Sequence, residues 1–161
     1  MNKKGFTLIE LLIVVAIIGI IAAIAIPNLL VALQKGKQKA TMGDMKSIGT
    51  AIESYIVDWS FCPSPGSAVG TSIVTAMDLG WFRPFYIKVL PLRDGWGAAF
   101  RYTCGTIGSG FQDAYSLTSY GKNNIVSGPA SGDYEVLTLA DFNNDIMYSN
   151  GQFTLGPRIK R

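Results

Sequence analysis

Lys3-Lys4-Gly5-Phe6-Thr7-Leu8-Ile9-Glu10-Leu11-Leu12-Ile13-Val14-Val15-Ala16-Ile17-Ile18-Gly19-Ile20-Ile21-Ala22-Ala23-Ile24-Ala25-Ile26-Pro27 is the stretch that decides how this chain is read. Its residues from Phe6 to Ile26 are nearly all aliphatic, and a helix of that length covers about 30 Å, the thickness of the hydrocarbon layer of a bilayer. One carboxylate, Glu10, interrupts the run. A charge inside that layer costs on the order of 2.5 to 3.5 kcal/mol on insertion scales, so a paired group is expected.

A removed secretory signal is the plainer reading of such a block, since Lys3 and Lys4 make a basic start and Ala23-Ile24-Ala25 resembles a small-residue cleavage site. The apolar run is too long for it, Glu10 breaks it, and the helical pattern continues past Pro27, so a retained anchor is favoured. Lysines on both flanks (Lys3 and Lys4; Lys35, Lys37 and Lys39) leave the orientation rule ambiguous. The very short amino-terminal tail suggests a cytoplasmic start, with everything beyond Pro27 exported.

Past Pro27, Met45, Ile48, Ile52, Tyr55, Ile56 and Trp59 recur at spacings of three and four, with Lys46, Ser47, Glu53 and Asp58 between them. This predicts an amphipathic helix continuous with the anchor, bent at Pro27 and loosened by Gly36 and Gly43. From Ser60 the texture changes to Pro, Gly and Ser, and the helix stops. Phe100–Thr103 and Ala114–Tyr120 alternate as strands do, and Ile146–Leu155 reads as a hairpin around Asn150-Gly151. The fold class is α+β: a long amino-terminal helix carrying a small antiparallel β-sheet head.

The whole chain sets further limits. Its 161 residues allow one ordinary domain, and 48% hydrophobic content excludes a disordered chain. A net charge of +3 is too mild to argue for nucleic acid. With no histidine, the commonest general base and metal ligand is missing, and no nucleophile has an evident base beside it. A membrane-tethered enzyme or binding module therefore has little support. Cys62 and Cys104 cannot make a four-ligand zinc site; in an exported head they favour one disulfide over two free thiols.

Lys4-Gly5-Phe6-Thr7-Leu8-Ile9-Glu10, with the aliphatic run and Pro27-Asn28 after it, resembles the amino-terminal signature of the type IV pilin and type II secretion pseudopilin superfamily. The resemblance implies a leader of residues 1–5, cleavage between Gly5 and Phe6 by a prepilin peptidase that also methylates the new terminus, and assembly through Glu10, Phe6 and Pro27. It further implies a helix over residues 6–59, membrane-embedded over 6–26 and a spine over 28–59, with a pilin-like head over 60–161. Glu10 is then the charge that neutralises the freed ammonium of a neighbouring subunit, or of its own Phe6 four residues back. In the uncut chain that partner does not exist, so Glu10 is expected to stand unsatisfied.

A second resemblance identifies the branch. Leu90-Pro91-Leu92-Arg93-Asp94-Gly95-Trp96-Gly97-Ala98-Ala99-Phe100-Arg101-Tyr102 and Tyr115-Ser116-Leu117-Thr118-Ser119-Tyr120-Gly121-Lys122-Asn123-Asn124 are similar to the head of the major pseudopilin of type II secretion. From the residues alone Asp94-Gly95 is a turn and Trp96 a packing anchor. The resemblance implies calcium in the loop between the last strands. Asn123, Asp133, Asp141 and Asp145, with Glu135 and Asn143, supply oxygens there, while a solvated acidic loop is the equal alternative. The partners it implies are identical subunits in a helical filament, the peptidase, minor pseudopilins, an inner-membrane assembly platform and, before assembly, lipid. The expected function is a pseudopilus subunit for protein export from the inner membrane, with a type IV pilus subunit as the alternative.

Overall fold

The computed structural model describes residues 5–63, 72–73, 82, 84–105, 114–127 and 132–158. Most of the segment 67–81 lies outside them. One helix, α1 (Leu8–Trp59), is followed by β1 (Ser72–Ile73), β2 (Arg101–Gly105), β3 (Ala114–Ser119), β4 (Gly132–Tyr134), β5 (Ile146–Ser149) and β6 (Gln152–Pro157). The chain divides into two compact units, Met1–Lys35 and Gly36–Arg161.

Within the first unit α1 runs through Pro27 without interruption. Proline removes one backbone donor from the ladder, and the Asn28 side chain donates to the Ile24 carbonyl at 3.1 Å, adding a donor to the same turn. Nearly every large aliphatic residue from Leu8 to Leu33 is exposed, Leu8 at 81%. A helix apolar all round and covered by nothing suits lipid or other helices rather than water.

In the second unit α1 buries Gln38, Thr41, Met45, Ile48, Gly49, Ala51, Ile52 and Tyr55, one stripe at helical spacing. Met45, Ile48 and Ile52 are fully buried, each worth roughly 1.5–3 kcal/mol in transfer terms. They meet Phe100, Tyr102 and Cys104 of the β2 side, Tyr115 and Leu117 of β3, and Ile146 and Tyr148 of β5. Strict alternation of buried and half-buried positions along β2 and β3 puts these residues on one face. A side chain at Gly49 would overlap the Tyr148 ring, so glycine there lets the sheet approach the helix backbone. Trp59 departs from the expected stripe: it is mostly exposed, and its Nε1 donates to Tyr86 Oη at 3.0 Å.

The sheet order is β1-β2-β3-β5-β6-β4. Tyr102 pairs with Leu117, and Leu117 with Tyr148, which stacks three large side chains across the core face. Asn150 (φ 45°) and Gly151 (φ 86°) form the two-residue turn between β5 and β6 that the sequence predicts, both in the left-handed region a type I′ turn requires. The sheet is antiparallel as expected at its other described pairings, and β4 pairs parallel with β6. Its three residues, Gly132-Asp133-Tyr134, are too short and polar to announce themselves by alternation.

Two joints close the head. Asp94 is 6% exposed, and its Oδ1 accepts the N–H groups of Trp96 and Ala98, both at 2.9 Å, while its Oδ2 accepts Ser119 Oγ at 2.7 Å. The turn it holds presents the Gly95 N–H to Thr41 Oγ1 at 2.9 Å, and any side chain on Gly95 would collide with the Lys37 carbonyl. Trp96 packs half-buried against the core, as an anchor should. At the far end, α1 stops where Ser60 adopts φ 61°, its N–H still bonded to the Ile56 carbonyl at 2.7 Å. A side-chain-bearing residue gives up roughly 1–2 kcal/mol to stand there. Cys62 and Cys104 are joined as a disulfide, Cα–Cα 6.2 Å.

Candidate assembly site at the amino terminus

Gly5, Phe6 and Thr7 precede α1 without helical structure, and the first turn begins at Leu8. The start is fixed by Thr7 and Glu10. Thr7 N–H donates to Glu10 Oε2 at 2.8 Å, Thr7 Oγ1 donates to the same oxygen at 2.6 Å, and Glu10 N–H donates to Thr7 Oγ1 at 3.3 Å. This is a reciprocal capping box, in which a threonine and a glutamate three residues on satisfy orphan donors at the helix start. It corrects the expectation that Glu10 stands unsatisfied in a single uncut chain. The signal Thr7-Leu8-Ile9-Glu10 was present in the sequence, hidden because the same residues also carry the processing signature.

The consequence is electrostatic. Glu10 sits in the first turn, where the partial positive charge of the helix start favours an anion, and it is locally hydrogen-bonded. Both Thr7 donors meet Oε2, so Oε1 takes part in neither bond. Phe6 is exposed at 75%, and in the uncut chain it is Thr7 that donates to Glu10. A side chain at Gly5 would meet nothing within 4 Å, so the fold itself makes no demand for glycine there.

Cys62 and Cys104 lie in the core of the head and contribute nothing to this site. The four candidate calcium ligands are scattered in purpose. Asn123 Oδ1 accepts the Ile125 N–H at 3.1 Å. Asp133 is exposed on β4. Asp141 Oδ2 accepts the Leu137 and Thr138 N–H groups, at 2.9 and 2.6 Å, and the Thr138 hydroxyl at 3.0 Å. Those bonds, the Thr138 N–H foremost, hold its carboxyl below the usual range. Asp145 is 6% exposed, and both its oxygens face the Ser127 N–H. Burial pushes its carboxyl up against that bond. Among the described residues no three of His, Cys, Asp or Glu converge as a metal would require.

A cleft of about 310 Å³ in the head is lined by Glu53, Ile56, Val57, Tyr115, Asn150 and Gly151. Tyr115 Oη donates to Glu53 Oε1 at 2.7 Å and Asn150 Oδ1 accepts the Tyr115 N–H at 3.0 Å, so its polar groups satisfy one another. Burial, then the Glu53 carboxylate, pushes the Tyr115 phenol far up. A phenol held protonated as a donor to a carboxylate is a structural bond, and no nucleophile stands beside it.

Residues 1–26 match the prokaryotic N-terminal methylation motif, and residues 28–136 match type II secretion system protein G. The chain is 33% identical over 126 residues to the type II secretion system core protein G of Pseudomonas aeruginosa, covering 75% of this chain and 87% of that one. It is 30% identical over 127 residues to the same-named protein of Escherichia coli, covering 76% and 83%. The type IV major pilin protein PilA of Myxococcus xanthus is 54% identical over 54 residues, covering 34% of this chain and 24% of the pilin. No solved structure matches.

Proposed function

The chain belongs to the type II secretion system protein G family, and from that premise we propose that it is the repeating subunit of a pseudopilus, the short filament that serves protein export. One observation carries the reading: α1 begins as a helix apolar on all sides with a single hydrogen-bonded carboxylate in its first turn, while the head closes around a core of its own.

The family resemblance and the Thr7–Glu10 box support one order of events. The precursor is stored in the inner membrane with its amino end cytoplasmic and its head outside. The peptidase cuts between Gly5 and Phe6 and methylates Phe6, which leaves an ammonium on the residue next to the Thr7–Glu10 box. In the lipid-stored subunit the box supplies Glu10 with donors. On assembly, the Phe6 ammonium of a neighbouring copy approaches the Glu10 carboxylate through Oε1, and burial of apolar helix against helix offsets the loss of lipid contact. Minor pseudopilins and an inner-membrane platform complete the partners.

The pilin match favours a second reading, a type IV pilus subunit, but it covers about a third of the chain where the secretion relatives cover three quarters. The decisive experiment replaces Glu10 by alanine. Filaments should fail to form while the head keeps its fold, whereas a tethered enzyme or binding module would keep its activity. A secretion assay in the same strain separates export from adhesion or motility.

A further inference from the structure

The carboxyl end of α1 is poorly determined by its own sequence. Its last turn contains no basic residue and carries Asp58, which the negative end of the helix dipole disfavours. The residue that ends it in the left-handed region is Ser60, where helices normally place glycine. Such a turn persists only when the surroundings impose it. Two residues on, Cys62 is fully buried and covalently bound to Cys104 of β2, which is 8% exposed.

The turn also sets the aromatic cluster beyond it. Tyr55 stacks on Trp59 at 6.1 Å, meets Phe61 edge-on at 5.8 Å and meets Tyr86 edge-on at 5.3 Å. Tyr86 Oη accepts from Trp59 and donates to Asp58 Oδ2 at 2.9 Å, which ties down the acid in the last turn. Phe61 lies between Ser60 and Cys62, so its place against Tyr55 depends on the path of those two residues. A second, non-covalent tie exists: Tyr102 Oη donates to the Pro63 carbonyl at 2.8 Å.

We propose that the Cys62–Cys104 bond is a redox clasp that fixes the left-handed turn at Ser60, so that the oxidation state of the pair decides where α1 ends and whether the aromatic cluster closes. Closure is a two-electron oxidation. A thiolate of the pair attacks a disulfide of a thiol–disulfide oxidant, the second cysteine displaces the mixed disulfide, and the oxidant leaves as a dithiol with the two electrons and two protons. Because both sulfurs end up buried, exchange requires the segment around them to open, so a dithiol reduces the closed clasp slowly rather than not at all. The clasp operates whichever filament the subunit builds.

The test uses the full chain in detergent micelles, with amide exchange followed by NMR in the oxidised chain, after dithiothreitol, and in the Cys62→Ala/Cys104→Ala variant. Opening the bond should raise exchange of the Ser60 amide at least tenfold and abolish its positive-φ coupling, while β3 and β5 keep their protection. Ser60→Gly in the reduced chain should restore most of the lost protection, since glycine adopts that φ without strain. Unchanged exchange and coupling at Ser60, with two free thiols confirmed by alkylation, would overturn the proposal in favour of the Tyr102–Pro63 tie. Loss of protection throughout β3 and β5 would overturn it too, since the bond would then support the whole head. Failure of Ser60→Gly to restore protection would count against it equally.

Discussion

Thr7 and Glu10 answer each other across the first turn of α1: the glutamate carboxylate takes the threonine's N–H and hydroxyl, and the threonine hydroxyl takes the glutamate's N–H. Two tasks assigned to Glu10, starting the helix and registering a neighbour, are therefore separable. Glu10→Gln keeps a side chain that serves a capping box and loses the charge. It should leave first-turn amide protection in micelles unchanged while abolishing filaments. Thr7→Val should do the reverse in part, weakening the first turn by about 1 kcal/mol while the carboxylate remains. Equal assembly by Glu10→Gln and the parent chain would show that capping, not charge, is the requirement.

Asp94 satisfies three donors from a site 6% exposed. Asp94→Ala leaves the Trp96 and Ala98 N–H groups and the Ser119 hydroxyl without their acceptor, and is expected to destabilise the head by about 3 kcal/mol or more. Ser119→Ala removes a single bond and should cost about 1 kcal/mol. Thermal melts of the two variants should differ clearly in that order.

Gly151 stands at φ 86°. Gly151→Ala forces a side chain into the left-handed region and should lower stability by roughly 1–2 kcal/mol. Asn150→Ala should add a further loss, because the Tyr115 N–H then has no acceptor from the turn. Urea midpoints report both.

Asp44 lies half-buried on α1, and burial raises its carboxyl above the usual value of 3.8. With the folded value above the unfolded one, its favourable contribution belongs to the acid side and is lost as pH rises from 3.8 through the folded value. At pH 7 the ionised group bears the full desolvation. Asp44→Asn should therefore melt slightly higher than the parent at pH 7, and the difference should vanish below about pH 4. A difference that grows on acidification would contradict the assignment.

Sequence reading reached furthest where local chemistry and tertiary demand coincide. Met45, Ile48, Ile52 and Tyr55 announce a buried stripe by spacing and are buried; Asn150-Gly151 announces a turn because few other pairs adopt two positive φ values. Trp59 followed the same period yet faces outward, since the stripe outruns the sheet and Tyr86 offers a polar partner for its indole. β4 was illegible because a parallel pair over three residues leaves no periodic trace. The Thr7–Glu10 box is written in the spacing Thr7-Leu8-Ile9-Glu10, where the same residues also carry the processing signature. In the acidic loop, composition names the oxygen-bearing residues but not their partners: Asp141 accepts the Thr138 N–H and Asp145 the Ser127 N–H.

Among the described residues, the two outer strands of the sheet, β1 with two residues and β4 with three, are its shortest. A monomer built to polymerise carries an unusual hazard, because any second route of self-association competes with the intended one. Edges this brief expose few unpaired backbone groups for another sheet to extend. For heads crowded along a shaft, short described edges of this kind offer little strand-to-strand contact of the sort that turns an ordered fibre into an amyloid-like one.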